Sequence, residues 1–320
     1  MSGRTSPARL PRSLLTGLAA VLTAAAGLIS LFGYFVYQLR FPPTIPEDVT
    51  PSQYLLTADD VSWTSGRWGG ARGWWIPGKA GRPAIILATG FQISRSDSLS
   101  LAAYLHKRGY HSLIYSARGR SGESSKSPGP LAGTAVEIML SALDFTLSQA
   151  GVDGSRVGVW GVDIGAHAAL AASVKRPEVR AVAADCPYDT AAELIRLRLA
   201  QESGVGQRWM ELGCERAVAW LEGVSPASMR AHLPLAALAD RHVLVIDGEN
   251  RPDLAAYADG VYDRLSGNKR KVRLPVARVR LMSAEQMETY DRLVGAFFSA
   301  SLNESRRTAG NRTGAGLETR

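Results

Sequence analysis

The chain has 320 residues, 46% of them hydrophobic, which is enough to bury the core of one large domain. Its net charge of +8 comes from basic clusters that are not interleaved with stacking aromatics, which argues against nucleic acid as a partner. Two cysteines are too few for a disulfide framework and lack zinc-ligand spacing. We expect Cys186 and Cys214 to be separate buried thiols; one bridge is the alternative in an oxidising compartment.

The first predicted element is an uncharged apolar run from Leu14 to Leu39, about the length of a bilayer-spanning helix. Three arginines precede the run, so the positive-inside rule predicts a cytoplasmic N-terminus and a large domain on the extracytoplasmic side. A cleaved signal peptide is the alternative, because Ala24 and Ala26 have the spacing of a cleavage site. Apolar sequence continues well past them, which favours an uncleaved single-pass anchor.

The rest of the chain alternates between strand and helix patterns, as βαβ units do. Four prolines between Phe41 and Ser52 predict a stiff spacer that holds the domain off the membrane. Strands are predicted at Val61–Thr64, Gly73–Ile76, Ala84–Ala88, His111–Tyr115, Val157–Trp160, Val179–Ala184, His242–Asp247 and Val272–Leu281. The tail after Leu302 is polar and predicted to be disordered.

These patterns divide the chain into five segments. They are a cytoplasmic N-terminus at 1–13, a transmembrane anchor at 14–39, a Pro-rich spacer at 40–57, an α/β domain at 58–302 with a helical insertion at about 190–238, and a disordered tail at 303–320.

Four local motifs carry a family resemblance. Ile85–Gly90 is similar to a strand that ends in a His-Gly pair, which in this chain is Thr89-Gly90. Arg118–Ser124 is similar to an Arg-Gly-x-Gly-x-Ser turn, with one extra residue. Gly161–Gly165 looks like a nucleophile elbow, and Val224–Pro226 like a lead-in to late strands. In this order they resemble the α/β-hydrolase superfamily, which implies a mostly parallel sheet with helices on both faces.

The resemblance places a nucleophile between the two elbow glycines, where this chain has Asp163 and not serine. Haloalkane dehalogenases and epoxide hydrolases of the same superfamily use an elbow aspartate, which is ionised at neutral pH and attacks substrate carbon without a base. Releasing the ester still needs a histidine to activate water. Asp163 could instead be a buried or helix-capping carboxylate.

The expected histidine position, near Arg278 to Ser283, contains none. His167 follows Asp163 by one helical turn, but we interpret it as a packed side chain. The acid position is altered too, with Asp253, Glu249 or Asp185 as candidate replacements. Backbone oxyanion donors are predicted at two residues, Phe91 and Ile164.

Three functions follow. The first is a catalytically degenerate hydrolase-fold protein that binds a small molecule, lipid or protein; the second is a hydrolase using Asp163 as nucleophile on an ester, epoxide or halide. The third is docking of the basic stretch Lys269 to Arg273 on anionic lipid or an acidic partner, although a solvated turn explains that stretch equally simply. No dinucleotide or phosphate loop and no metal-ligand spacing is present, so no cofactor or metal is implied.

Overall fold

The computed structural model describes residues 12–40, 45–66, 69–90, 93–116, 132–203, 208–277 and 279–314. Its strands are β1 Asp59–Thr64, β2 Gly70–Ile76, β3 Arg82–Thr89, β4 His111–Ser116, β5 Val152–Val162, β6 Val179–Asp185, β7 His242–Gly248 and β8 Lys269–Leu274. They form one eight-stranded sheet in the order β1-β2-β4-β3-β5-β6-β7-β8. β2 is antiparallel to both neighbours, and every other pair is parallel.

Helices cover both faces of this sheet. The α-helices among the described residues are α1 Arg12–Arg40, α2 Leu99–His106, α3 Ala132–Leu147, α4 Ile164–Lys175, α5 Ala191–Ser203, α6 Arg208–Glu222, α7 Pro226–Met229, α8 Pro252–Arg264 and α9 Ala284–Gly314. Side chains alternate along β3, so that Ile86 packs towards α3 and α4 while Ile85 and Leu87 pack towards α2 and α9. A strand buried on both faces needs an almost wholly apolar sequence. The predicted mostly parallel sheet with helices on both faces is confirmed.

The N-terminal helix α1 is long and apolar enough to cross a membrane over Ser13–Gln38, with a mean hydropathy of 2.1. Length and composition alone are also compatible with a signal sequence. The described residues between 190 and 238 contain the helices α5, α6 and α7. We call residues 191–229 the cap.

The basic stretch differs from its prediction. Lys269–Leu274 is the edge strand β8, whereas we expected a turn there and a strand over Val272–Leu281. Lys271 and Arg273 both pair with Asp247, which is fully buried at the end of β7. Lysine-rich edge strands are common because charge discourages pairing with another sheet. The solvated-turn interpretation was therefore wrong.

The two ends of the domain also differ from their predictions. α9 continues to Gly314, because the sequence after Leu302 contains helix-forming Glu, Arg and Ala and no proline. The described part of the spacer lies on the domain: Glu47 forms two hydrogen bonds with Arg95, and Val49 accepts one from Ser96. The described part of this segment therefore lies against the domain.

Candidate functional site

A single residue makes the turn between β5 and α4. Asp163 stands between Val162, the last residue of β5, and Ile164, the first of α4. Its φ of 53° and ψ of −115° lie outside the regions that non-glycine residues favour, and its side chain is only 6% exposed. Such a conformation costs on the order of 1–3 kcal/mol and tends to occur at functional sites.

Glycines let three chain segments meet at this turn. A Cβ at Gly161 would lie 2.2 Å from the carbonyl oxygen of Gly165, and one at Gly165 would lie 2.3 Å from that of Ala88. A Cβ at Gly90 would lie 2.3 Å from the carbonyl oxygen of Val162. Real Cβ atoms do not approach carbonyl oxygens so closely. The sequence therefore needs glycine at all three positions to close the elbow.

The surroundings of Asp163 distinguish the two structural interpretations of its carboxylate. Its backbone N–H donates to the carbonyl oxygen of Asp185 at 3.0 Å. Its side chain makes no capping hydrogen bond to α4, so the capping interpretation was wrong. The carboxylate is instead a buried group at the carboxyl end of the parallel strands, where open α/β sheets bind ligands.

Three further residues belong to this place, and sequence reasoning missed them. Cys186 follows β6, is buried and also has a positive φ of 50°. Burial and then the charge of Asp163 raise the pKa of Tyr188 far above its usual value. The pKa of Arg251 is raised by its hydrogen bond to Asp253 and, to a smaller degree, by Asp163 and Cys186. We call Asp163, Cys186, Tyr188 and Arg251 the elbow site.

A positional signal could have found them. Cys186 and Tyr188 come just after the predicted strand Val179–Ala184, and Arg251 just after His242–Asp247. Residues at the carboxyl ends of adjacent parallel strands meet at one edge of the sheet. The Ser-His-Asp pattern does not mark Cys186, Tyr188 or Arg251, because none of them is a residue type that this pattern contains.

His167 packs beside the elbow site. Its Nδ1 lies 3.1 Å from the carbonyl oxygen of Tyr188, and its ring stacks on the Tyr188 ring at a centroid distance of 5.4 Å. Because a carbonyl oxygen only accepts, Nδ1 carries the proton in this contact. Burial lowers the pKa of His167, although this carbonyl and Asp189 act in the opposite direction. The imidazole is therefore neutral at pH 7.

The other four histidines occupy different parts of the fold. His111 and His242 begin β4 and β7, at the amino edge of the sheet opposite the elbow, and His106 ends α2. His111 accepts a hydrogen bond from the backbone of Gly78 at 2.9 Å. His232 is mostly exposed and lies 2.9 Å from the buried carboxylate of Asp189. The chain has five histidines in all, and each has a described place.

The candidate acids have partners other than histidine in their described contacts. Asp253 forms two hydrogen bonds with Arg251, at 2.8 and 2.5 Å, in the first turn of α8. Asp185 accepts the hydroxyl proton of Tyr290 at 2.8 Å within the core. Glu249 is exposed. These contacts place Asp253 close to the elbow site, as the counterion of Arg251.

Of the two predicted oxyanion donors, the structure describes only Ile164. Ile164 is the first residue of α4, so its N–H is one of the four that an α-helix does not pair internally. Phe91 lies outside the described residues. Among the residues that the structure does describe, no group of three or more His, Cys, Asp or Glu side chains could hold a metal ion.

The cysteines lie in separate places. Cys186 is in the elbow site, Cys214 is in α6, and no disulfide joins these two buried residues. Burial raises the pKa of the Cys214 thiol to about 11, so it is protonated at neutral pH.

Solved structures share the overall fold of this chain. An esterase of Pyrococcus furiosus superposes with a TM-score of 0.59 at 18% identity, covering 82% of this chain and 97% of its own. A dienelactone hydrolase of Anabaena variabilis superposes with a TM-score of 0.54 at 16% identity, covering 77% and 99%. The chain has the α/β-hydrolase fold. At these identities the likeness establishes the hydrolase fold alone.

Curated relatives match a smaller part of the hydrolase fold. An uncharacterised protein of Mycobacterium tuberculosis is 27% identical over 179 residues, which cover 55% of this chain and 62% of the relative. A thiohydrolase of Aspergillus aculeatus is 29% identical over 137 residues, covering 38% and 43%. The chain thus spans less than two thirds of the length of these relatives. No protein-family model matches it.

Proposed function

We propose that this protein is a membrane-anchored member of the hydrolase fold that binds a small molecule, lipid or protein at the elbow site without turning it over. The observation that carries the proposal is a buried aspartate at the nucleophile position, next to a histidine held by the Tyr188 backbone and ring. Acyl transfer by this fold needs a nucleophile and a histidine that exchanges protons with it. The remaining histidines are placed at helix and strand ends or against Asp189.

The elbow site has the chemistry of a binding site. It combines an acid, a cation and a phenol, namely Asp163, Arg251 and Tyr188, at the edge of the sheet where ligands bind. Asp253 offsets part of the charge of Arg251. The site therefore suits a ligand with both hydrogen-bond donors and acceptors. The strained backbone at Asp163 and Cys186 holds the site itself in a fixed shape.

The anchoring part of the proposal rests on α1. Its apolar span of 26 residues exceeds the roughly 20 that a bilayer requires, and the sequence ahead of it is basic. These features support an uncleaved single-pass anchor with the hydrolase-fold domain on the extracytoplasmic side.

One observation favours a second function, a hydrolase that forms an ester at Asp163. The carboxylate stands at the nucleophile position, in the strained elbow conformation and at the start of α4. It needs no base for attack on an electrophilic carbon: the carboxylate oxygen forms a bond to that carbon as the carbon–halogen bond of a haloalkane, or one carbon–oxygen bond of an epoxide, breaks. Hydrolysis of the resulting ester would then require activation of water by His167 through Nε2.

Enzyme assays on the full chain in detergent separate the two functions. Wild type and Asp163→Asn, which keeps the side-chain shape and removes the charge, are compared on chromogenic esters, epoxides and haloalkanes. We expect neither to exceed background and mass spectrometry to find no adduct on the elbow peptide. Turnover by wild type that Asp163→Asn abolishes would refute the binding-only proposal, and an ester on Asp163 would support the second function.

Restoring the family's serine tests the reasoning directly. Asp163→Ser supplies the hydroxyl nucleophile, but the Nδ1 of His167 donates to the neutral carbonyl oxygen of Tyr188 where a triad has a carboxylate, and burial lowers the pKa of this histidine. Both features disfavour the imidazolium that forms when the serine proton is taken. We expect esterase activity to stay at background in this variant. A clear gain would mean that a proton acceptor is already in place and that the machinery is less altered than proposed.

Binding is tested by thermal stabilisation. A ligand at one hundred times its Kd stabilises a protein by about 2.7 kcal/mol, or roughly 5–11 °C in a domain of this size. Compounds that raise the Tm of wild type by this amount are retested on Asp163→Asn and on Glu288→Gln, an exposed α9 control. Ligands of the elbow site should lose their effect in the first variant and keep it in the second.

A further inference from the structure

The C-terminal end of α1 packs directly on the cap. Phe35 is only 6% exposed, in a cluster formed with Met210, Cys214 and Val218 of α6. Phe32 stacks edge-on against Trp209 at 5.6 Å. α1 and α6 are therefore in direct contact, and the position of one fixes the position of the other.

The contact between the helices is close. A Cβ at Gly213 would lie 2.2 Å from the Phe32 ring, so glycine on α6 allows that ring to lie against the helix backbone. Phe35 is buried and Phe32 partly buried in this contact, so the two helices pack in one defined arrangement. The neighbouring Tyr34 and Tyr37 point away and are exposed.

The position of this contact along α1 sets its depth. A hydrocarbon core of about 30 Å takes roughly 20 helical residues at 1.5 Å each. Counted from Ser13, where the apolar span begins, that length ends near Phe32. The apolar span itself continues to Gln38, but α6 packs on Phe32 and Phe35 and carries charged side chains, which hydrocarbon excludes. On this count the hydrocarbon ends, and the headgroups begin, at the contact with α6.

The outward face of α6 suits such a place. Trp209 is 46% exposed and Trp220 is 80% exposed, although both are large and apolar. They are about three helical turns apart and so lie on the same side of the helix. Leu221 beside them is exposed as well.

Charge on the same helix fits a lipid surface. Arg208 and Arg216 are exposed near the two tryptophans. Helices that lie in the membrane interface combine apolar and aromatic side chains with basic ones, and tryptophan concentrates at the level of the headgroups. Each arginine also attracts anionic lipid.

We propose that the outward face of α6, which carries Trp209 and Trp220 with the exposed Leu221 at its flank, lies in the headgroup region of the bilayer that α1 crosses. The inference rests on the proposed anchoring, because α1 sets the depth. α1 and α6 together then hold the cap, and with it the approach to the carboxyl edge of the sheet, against the lipid surface. The occupant of this face is lipid.

The test measures depth at three positions of the full chain in phosphatidylcholine and phosphatidylglycerol vesicles. Single cysteines replace Trp220, Ala25 in the middle of α1, and Ala150, an exposed residue before β5 at the opposite edge of the domain. Each carries a nitroxide label, and spin relaxation by oxygen and by a water-soluble nickel chelate is compared. The native cysteines are buried, and a chain without added cysteine gives their background.

We expect the oxygen-to-nickel ratio at Trp220→Cys to be several-fold above that at Ala150→Cys and below that at Ala25→Cys. Leu221→Cys provides a second reading of the same face. A ratio at both positions equal to that of Ala150→Cys, with Ala25→Cys in the hydrocarbon, would overturn the inference and leave the anchor intact. A water-exposed Ala25→Cys would overturn the anchoring and this inference together.

Discussion

Asp291 offers the clearest test of how burial sets the stability of this domain. It lies on α9, is almost completely buried, and has a pKa raised to about 7, chiefly by that burial, against a usual value of 3.8. The nearby Ser100 of α2 opposes the shift. The folded-state pKa lies above the unfolded one, so between about pH 4 and pH 7 the folded chain binds a proton that the unfolded chain has lost. The contribution of this group to the free energy of unfolding therefore falls as the pH rises.

The expected magnitude follows from the shift. About three pKa units at 1.36 kcal/mol each give a loss of about 4 kcal/mol between pH 4 and pH 8. Asp291→Asn keeps the shape of the neutral acid and cannot ionise. The variant should match wild type at pH 4 within about 1 kcal/mol and exceed it by up to about 4 kcal/mol at pH 8, or roughly 8–16 °C in Tm.

Differential scanning fluorimetry of both chains in one detergent, from pH 4 to pH 8, measures this difference. Other titrating groups are common to the two chains, so the change with pH in the variant-minus-wild-type difference isolates Asp291. Glu288→Gln, on the exposed side of the same helix, should change stability by less than about 0.5 kcal/mol. A Tm difference for Asp291→Asn that is the same at pH 4 and pH 8 would refute the argument.

Three further substitutions, the first with a matched control, test the packing that positions the site, each by Tm in the same detergent. Gly161→Ala puts a Cβ 2.2 Å from a carbonyl oxygen and should cost at least about 3 kcal/mol, whereas Gly133→Ala in α3 has room and should stabilise by up to about 1 kcal/mol. Equal effects would contradict the elbow packing. Asp247→Asn removes a buried carboxylate whose pKa is raised by burial but lowered overall by its basic partners on β8, and should cost about 3–5 kcal/mol; an effect under about 1 kcal/mol would count against this pairing. Tyr290→Phe removes the hydroxyl that joins the Trp160 indole to Asp185 and should cost about 1–3 kcal/mol. An unchanged Tm would show that the hydroxyl is not needed.

The sequence was most informative where a local pattern determines the structure. The alternation of apolar runs and helix stripes located the sheet and its helices, because a strand buried on both faces has few alternatives to an apolar sequence. The elbow was recognisable from Gly161 and Gly165, since the turn cannot close with a side chain at either position. Asp163 was found for the same reason, by its place between them.

Contacts between distant segments were not predictable in this way. α1 is apolar on all sides, so nothing in its pattern marks Phe32 and Phe35 as the residues that contact the cap. β8 was misplaced because its lysines and arginines hide the strand pattern, and Asp247, with which they pair, lies on another strand. Arg251 lies near Asp163 only because the chain segments that follow β5 and β7 meet in the folded sheet. Each failure concerns a contact whose partner is far away in sequence.

The hydrogen bond from the Trp160 indole to the Tyr290 hydroxyl joins residues 130 positions apart in the sequence and lies beside the central strand β5. During synthesis, α1 leaves the ribosome early, yet the core around β5 remains incomplete until α9 has been made. Contacts of such long sequence separation form slowly, and incomplete sheets expose apolar surface that promotes aggregation. For a domain attached to its N-terminal helix, the period between the synthesis of these two residues is therefore the interval in which the nascent chain exposes the apolar face of β5.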